Sequence, residues 1–276
     1  MLLLNDKQLD VVVYPNNESL LRPHHSSRVT LRYESDADLF RLQVLAAHWG
    51  RLLTSRTTLV IPYMPYSRAD RSENGSVFTL RHVAEFIARC GFGRIHLYEP
   101  HSDVTEQELV KALGGPNHLC RVKVHEVTKL VALKAMKYMD FQPHDWIVFP
   151  DSGAGKRYFG FSDAHPVLFG IKNRDFDTGK IGDVQFPEVI PALGSRALIV
   201  DDLCSRGGTF TQAAKRLRDM GFAEVHLAVT HVEPAGYNTE MTLSLDHIYH
   251  TDTIAPPCVG PNYTVFPLKG FYPDAS

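Results

Sequence analysis

The segment Ala197-Leu198-Ile199-Val200-Asp201-Asp202-Leu203-Cys204-Ser205-Arg206-Gly207-Gly208-Thr209 constrains the fold more than any other part of this chain. Four apolar residues in succession leave no face for solvent, so the run reads as a strand buried on both sides, as in parallel sheets. The helical pattern Phe210 to Met220 follows at once and is stopped by Gly221. Between strand and helix lie two adjacent carboxylates and a Gly-Gly-Thr turn. Glycines there let the backbone close around a small anion, and the helix N-terminus offers N–H groups and a positive dipole end. Ionised aspartates only accept hydrogen bonds, which suits the hydroxyls of a sugar. The combination reads as a ribose-phosphate site; the competing reading is an ordinary strand-to-helix turn whose aspartates cap the helix.

Strand-like runs and helical patterns alternate along the rest of the chain. The strand-like runs are Val11 to Tyr14, Val29 to Tyr33, Thr57 to Pro62, Arg94 to Tyr98, Val122 to Glu126, Trp146 to Phe149, Val167 to Lys172, Ala197 to Asp201, Glu224 to Thr230 and His247 to Tyr249. Among them the apolar spacing predicts helices over Ala37 to Leu53, Thr79 to Cys90, Thr105 to Leu113, Lys129 to Met139 and Phe210 to Met220. This alternation predicts an α/β architecture with mainly parallel sheets flanked by helices. The elements are too many for one small sheet, and 276 residues hold two domains of ordinary size. Gly114-Gly115-Pro116-Asn117, followed by a helical restart at Lys129, places the boundary near residue 125. Ligands of open α/β sheets bind beyond the carboxyl ends of strands, so chemistry is expected there.

Composition narrows the function classes. A net charge of −2 argues against a broad nucleic-acid-binding surface. Cys90, Cys120, Cys204 and Cys258 are far apart and form no CxxC pair, which fits reduced thiols and no cysteine metal site. Met1-Leu2-Leu3-Leu4 meets Asp6 too soon for a signal peptide, and no apolar run nears the ~20 residues that span a bilayer. The expectations are a cytoplasmic location, no membrane and no nucleic acid.

Five further motifs follow or adjoin strands. Ile61-Pro62-Tyr63-Met64-Pro65-Tyr66-Ser67-Arg68-Ala69-Asp70-Arg71 is a loop stiffened by two prolines that presents two guanidinium groups, able to contact phosphate oxygens in pairs. Leu97-Tyr98-Glu99-Pro100-His101-Ser102 places a histidine just past a strand. Phe149-Pro150-Asp151-Ser152-Gly153-Ala154-Gly155-Lys156-Arg157 fails the P-loop pattern at Pro150 and at Arg157, and reads equally as a helix start capped by Asp151 or Ser152. Gly170-Ile171-Lys172-Asn173-Arg174-Asp175 carries two cations one residue apart, with Gly179 and Gly182 downstream, as in a hairpin able to close over substrate. Near the start, Tyr14-Pro15-Asn16-Asn17-Glu18 reads as a Pro-Asn turn.

In their order along the chain the motifs resemble those of PRPP synthetases (ribose-phosphate pyrophosphokinases). The 197–209 segment is similar to the PRPP-binding loop that this family shares with type I phosphoribosyltransferases, with Ser205 and Arg206 in place of an acid and a threonine. The resemblance implies two phosphoribosyltransferase-like domains, residues 1–125 with the ATP-binding loops and residues 126–276 with the ribose-phosphate loop and the catalytic hairpin. It implies pyrophosphoryl transfer from Mg-ATP to the anomeric hydroxyl of ribose 5-phosphate, giving PRPP and AMP. By the same resemblance Lys172 and Arg174 are catalytic, and Arg68, Asp70, Arg71 and Glu73 bind ATP. Tyr14, Asn16 and Glu18 reach the adenine of ATP in a neighbouring subunit, which implies a homo-oligomer with shared active sites. His101 and Asp151 serve magnesium. Asp201, Asp202, Ser205, Arg206, Gly207, Gly208 and Thr209 hold the ribose phosphate.

Three departures from the family pattern bear on substrate. Ala69 stands where a glutamine near adenine is expected, Gly75-Ser76 replaces an arginine-bearing regulatory segment, and little follows Thr251-Asp252-Thr253-Ile254. Arg206 would suit an acceptor with a second phosphate, so the same transfer to ADP-ribose, giving ADP-ribose pyrophosphate for NAD synthesis, is the alternative. A phosphoribosyltransferase and a non-catalytic regulatory homologue are lesser alternatives.

Overall fold

Two six-stranded sheets organise the protein, one in each of two units, Met1–His125 and Glu126–Phe271. The computed structural model describes residues 1–161, 164–174, 181–254 and 260–271; within these, the side chains of residues 161, 172–174 and 181–183 lie outside the description. Gly179 and Cys258 fall outside the described residues.

The first unit contains β1 (Leu2–Leu4), β2 (Lys7–Gln8), β3 (Asp10–Val13), β4 (Ser19–Arg22), β5 (Arg28–Leu31), α1 (Asp36–Thr54), β6 (Thr58–Ile61), α2 (Thr79–Arg89), β7 (Arg94–Tyr98), α3 (Val104–Ala112) and β8 (Arg121–His125). Its sheet runs β2-β1-β5-β6-β7-β8, parallel from β5 to β8, with β1 antiparallel to both neighbours. Strands β3 and β4 form a separate antiparallel hairpin. Helix α2 buries Leu80, Val83, Ala84 and Ile87, the i, i+3, i+4, i+7 stripe of a helix facing a core. Helix α1 opens on a capping box of Ser35 and Asp38, but Gly50 at φ 70° interrupts the pattern read as continuous from Ala37 to Leu53.

The second unit contains α4 (Thr128–Tyr138), β9 (Trp146–Phe149), α5 (Ser152–Tyr158), β10 (Val167–Phe169), β11 (Ile171–Arg174), β12 (Ile181–Gln185), β13 (Arg196–Cys204), α6 (Gly208–Asp219), β14 (Glu224–Val232), α7 (Thr239–Ser244), β15 (His247–Thr251) and β16 (Tyr263–Phe266). Its sheet runs β10-β9-β13-β14-β15-β16 and is parallel throughout. The α/β class with mainly parallel sheets flanked by helices is therefore what the chain forms.

Register between β9 and β13 is set at their starts by a buried ion pair. Asp145 is fully buried and accepts from the backbone N–H of Arg196 at 2.8 Å, from its Nε at 3.1 Å and Nη2 at 2.6 Å, and from the Gln142 N–H at 2.7 Å. Arg196 also donates to the carbonyls of Met139 and Asp140. Burial alone would raise the Asp145 carboxyl, but these hydrogen bonds hold it below its ordinary pKa.

The run Val167 to Lys172, expected as one strand, is two. β10 belongs to the main sheet and β11 to a hairpin with β12. The break is Gly170, whose N–H donates to the carbonyl of Phe149 at 2.7 Å. A Cβ at Gly170 would lie 2.5 Å from the Pro150 carbonyl oxygen, so only glycine lets the chain turn this close to the end of β9.

Candidate functional site

In the second unit the carboxyl ends of β9 and β13 carry the acidic residues singled out above. Asp151 is the N-cap of α5, its Oδ1 accepting from Gly153 N–H at 2.9 Å and Ala154 N–H at 3.0 Å. Strand β13 continues through the aspartate pair to Cys204, three residues beyond the end expected at Asp201. The Asp202 N–H donates to Asp201 Oδ1 at 2.9 Å, and Arg157 Nη1 lies 3.9 Å from Asp202 Oδ2. Burial, then the charge and hydrogen bond of Asp202, then the charge of Asp151, push the Asp201 carboxyl well above the ordinary range. Negative charge is concentrated here, which is where a cation or a donor hydroxyl gains most.

The next residues turn the chain into α6. Gly207 takes the left-handed conformation at φ 84° and is the helix N-cap, with Phe210 and Thr211 N–H both donating to its carbonyl at 2.9 Å. First-turn N–H groups of a helix lack partners within the helix, so this turn presents donors suited to a phosphate. Arg206 and Gly208 are exposed, whereas Ser205 and Thr209 are half-buried. The Ser205 hydroxyl donates to Glu233 Oε2, and the Asn238 amide donates to the Arg206 carbonyl at 3.0 Å. Burial, then Asp201 and Glu233, push the Cys204 thiol up to about 12, so it supplies no thiolate nucleophile.

Lys172 and Arg174 lie on β11, where Lys172 pairs with Val184 and Arg174 with Ile181 across a register shift. Their side chains fall outside the described residues.

In the first unit the loop from β6 to α2 carries the arginines. Arg68, Arg71 and Glu73 are exposed, but Asp70 is buried. Asp70 accepts from Arg71 Nε at 3.2 Å and from the Ser102 hydroxyl at 2.7 Å, and so fastens the arginine loop to the loop after β7. Arg71 Nε also lies 3.6 Å from Glu73 Oε1. On the β7 loop Glu99 is buried at φ 41°, its N–H bonded to the His125 carbonyl at 2.9 Å, and His101 is half-buried. Tyr66, at φ 61°, and Tyr33 both donate to Asp36 Oδ1, at 2.7 and 2.8 Å, which pins the start of the loop to α1. Those hydroxyls hold the Asp36 carboxyl below its ordinary value.

Tyr14, Asn16 and Glu18 form the exposed turn of the β3–β4 hairpin. Tyr14 N–H bonds the Glu18 carbonyl at 2.8 Å, and Glu18 N–H bonds Asn16 Oδ1 at 3.2 Å.

Sequence reading missed Ser102, Glu233, Asn238 and Met241, and gave Arg157 no role. Only Asn238 carried a local signal, as an N-cap residue directly before the short α7.

Magnesium takes hard oxygen ligands and keeps several waters, so one or two carboxylates plus substrate phosphates suffice to hold it. Among the described residues no three of His, Cys, Asp and Glu could hold a metal ion by themselves. The self-repelling carboxylates Asp151, Asp201 and Asp202 nonetheless fit a site completed by phosphate oxygens.

No family model matches the chain. Curated relatives do. It is 27% identical to a ribose-phosphate pyrophosphokinase of Sulfurisphaera tokodaii, over 79% of this chain and 74% of that protein. A ribose-phosphate pyrophosphokinase of Cereibacter sphaeroides is 26% identical, with 98% of this chain and 79% of the relative covered. The crystal structure of phosphoribosylpyrophosphate synthetase from Mycobacterium smegmatis superposes with a TM-score of 0.77 at 21% identity, covering 97% of this chain and 88% of that one. That likeness establishes the two-domain phosphoribosyltransferase-like fold. Over most of its length the chain is thus similar in sequence to ribose-phosphate pyrophosphokinases and in fold to a phosphoribosylpyrophosphate synthetase.

Proposed function

We propose that this enzyme transfers the pyrophosphoryl group of Mg-ATP to the anomeric hydroxyl of ribose 5-phosphate, giving PRPP and AMP. The hydroxyl oxygen attacks the β-phosphorus, the bond from that phosphorus to the α-phosphate oxygen breaks, AMP leaves, and the hydroxyl proton passes to solvent. The observation that carries this reading is the pair Asp201–Asp202 at the end of β13, followed by the left-handed Gly207 turn into α6. The aspartates accept hydrogen bonds from ribose hydroxyls, and Ser205, Arg206, Gly207, Gly208 and Thr209 surround the 5-phosphate.

Arg68 and Arg71 hold ATP phosphates, Asp70 keeps Arg71 in place, and Glu73 limits its swing. Lys172 and Arg174 stabilise charge on the transferring group. By the family resemblance His101 and Asp151 each serve magnesium, which when bound neutralises phosphate charge. The hairpin turn with Tyr14, Asn16 and Glu18 contacts adenine in a neighbouring subunit of a homo-oligomer. Because the Ser205 hydroxyl is bonded to Glu233 while Arg206 is exposed, ADP-ribose stands as the second candidate acceptor.

Incubation with Mg-ATP and either acceptor, with products identified by mass, tests the assignment. AMP and PRPP are expected with ribose 5-phosphate. Absence of AMP with both acceptors sinks the transfer reaction, and turnover of ribose 5-phosphate alone sinks the ADP-ribose version.

A further inference from the structure

The loop after β13 is held by a segment that the proposed reaction does not use. Beyond β14 the chain passes through Glu233 to Met241 alongside residues 204–207. Glu233 N–H donates to the Cys204 carbonyl at 2.8 Å, and the Ser205 hydroxyl donates back to Glu233. Gly236 passes so close that a Cβ there would lie 3.0 Å from both Cys204 Sγ and the Ser205 carbonyl oxygen. Fully buried Met241 fills the space beside Gly207, where a Cβ would lie 2.1 Å from its Sδ.

Asn238 joins these contacts. Its Oδ1 accepts from Met241 N–H at 2.9 Å, capping α7, while its Nδ2 donates to the carbonyls of Arg206 at 3.0 Å and Ala235 at 2.9 Å. In a trans peptide the carbonyl and the following N–H point in opposite directions. Holding the Arg206 carbonyl toward Asn238 therefore aims the Gly207 N–H away from it. A nest of such N–H groups binds an anion more tightly when its peptides are already aligned, because no ordering cost is left to meet.

We infer that Asn238 is a positioning residue, orienting the Arg206–Gly207 peptide so that the loop is set for the acceptor's phosphate before it arrives. The inference rests on the reading that residues 205–209 take that phosphate. Asn238→Ser keeps an uncharged N-cap acceptor but loses the reach to Arg206. Asn238→Asp keeps the cap at full length and removes the donor.

Binding of ribose 5-phosphate is measured by calorimetry with magnesium and α,β-methylene-ATP, which blocks transfer. The KM for each substrate is measured separately. Both variants should weaken ribose 5-phosphate binding about tenfold, the worth of one well-placed hydrogen bond. The KM for ATP at saturating acceptor should stay at the wild-type value. Wild-type acceptor affinity in Asn238→Asp, or an equal rise in both KM values, overturns the inference. Should the serine variant fail to fold, the aspartate variant carries the test. If the wild type binds ribose 5-phosphate but releases no AMP in the standard assay, the transfer reading fails while the binding ratio still judges Asn238. No binding by the wild type overturns both.

Discussion

Replacing Asp145 by alanine should loosen the second unit at the root of the strands that carry its acidic residues. The side chain is fully buried and accepts four hydrogen bonds, three of them from Arg196. Removing one member of a buried ion pair costs about 3–5 kcal/mol, because the other charge is stranded. Arg196 is 18% exposed and keeps the carbonyls of Met139 and Asp140, which places the loss near the low end. With a urea slope of about 2 kcal/mol per molar, a loss of about 3 kcal/mol lowers the midpoint by about 1.5 M.

The chain has two tryptophans, so fluorescence in a Trp49→Phe background reports Trp146, the residue next to Asp145. A loss below about 1 kcal/mol, the level of an exposed pair, refutes the claim that this pair sets the register. The pH dependence supplies a second check. The Asp145 carboxyl lies below its ordinary value in the folded protein, so its contribution is complete above about pH 4 and is lost as pH falls further. The gap between wild type and variant should narrow below about pH 4.

Gly207→Ala meets both an unfavourable φ of 84° and a contact 2.1 Å from Met241 Sδ, and should cost about 1–3 kcal/mol while raising the acceptor KM. Removing the sulfur in a Gly207→Ala/Met241→Ala double variant should restore part of the melting temperature; no recovery would refute the steric account. Arg206→Thr should shift acceptor preference toward ribose 5-phosphate, and an unchanged ratio of kcat/KM values counts against a role for Arg206 in acceptor choice. Burial, then His96 and Lys123, bring the His125 imidazole down to about 4, so it stays neutral in the folded protein while the unfolded chain takes up a proton. Stability of the first unit should therefore fall as pH drops from about 6.5 to about 4 and level off below, which Trp49 fluorescence follows. A His125→Gln variant with the same slope would show that another group is responsible.

Elements with a strong period of their own were legible from the residues. Leu80, Val83, Ala84 and Ile87 announce α2, and the run before Asp201 announces β13. The α/β class followed from that alternation, and the resemblance to PRPP synthetases from the loops at the strand ends. Elements whose existence depends on a distant partner were not legible. Strand β1, three residues long, exists by pairing with β5 and the two-residue β2 by pairing with β1, while α7 has six residues and rests on its Asn238 cap. The break at Gly170 needs the Pro150 carbonyl beside it, a contact that no local pattern encodes. In the same way Asp70 looks like one more charged loop residue until Ser102 is seen to share it.

The bond from Gly170 to Phe149 also gives the β11–β12 hairpin a fulcrum. At about 3.3 Å per residue along a strand, Lys172 sits about 7 Å from that point and Arg174 about 13 Å. A tilt of the strand about Gly170 would therefore carry the backbone at Arg174 roughly twice as far as the backbone at Lys172.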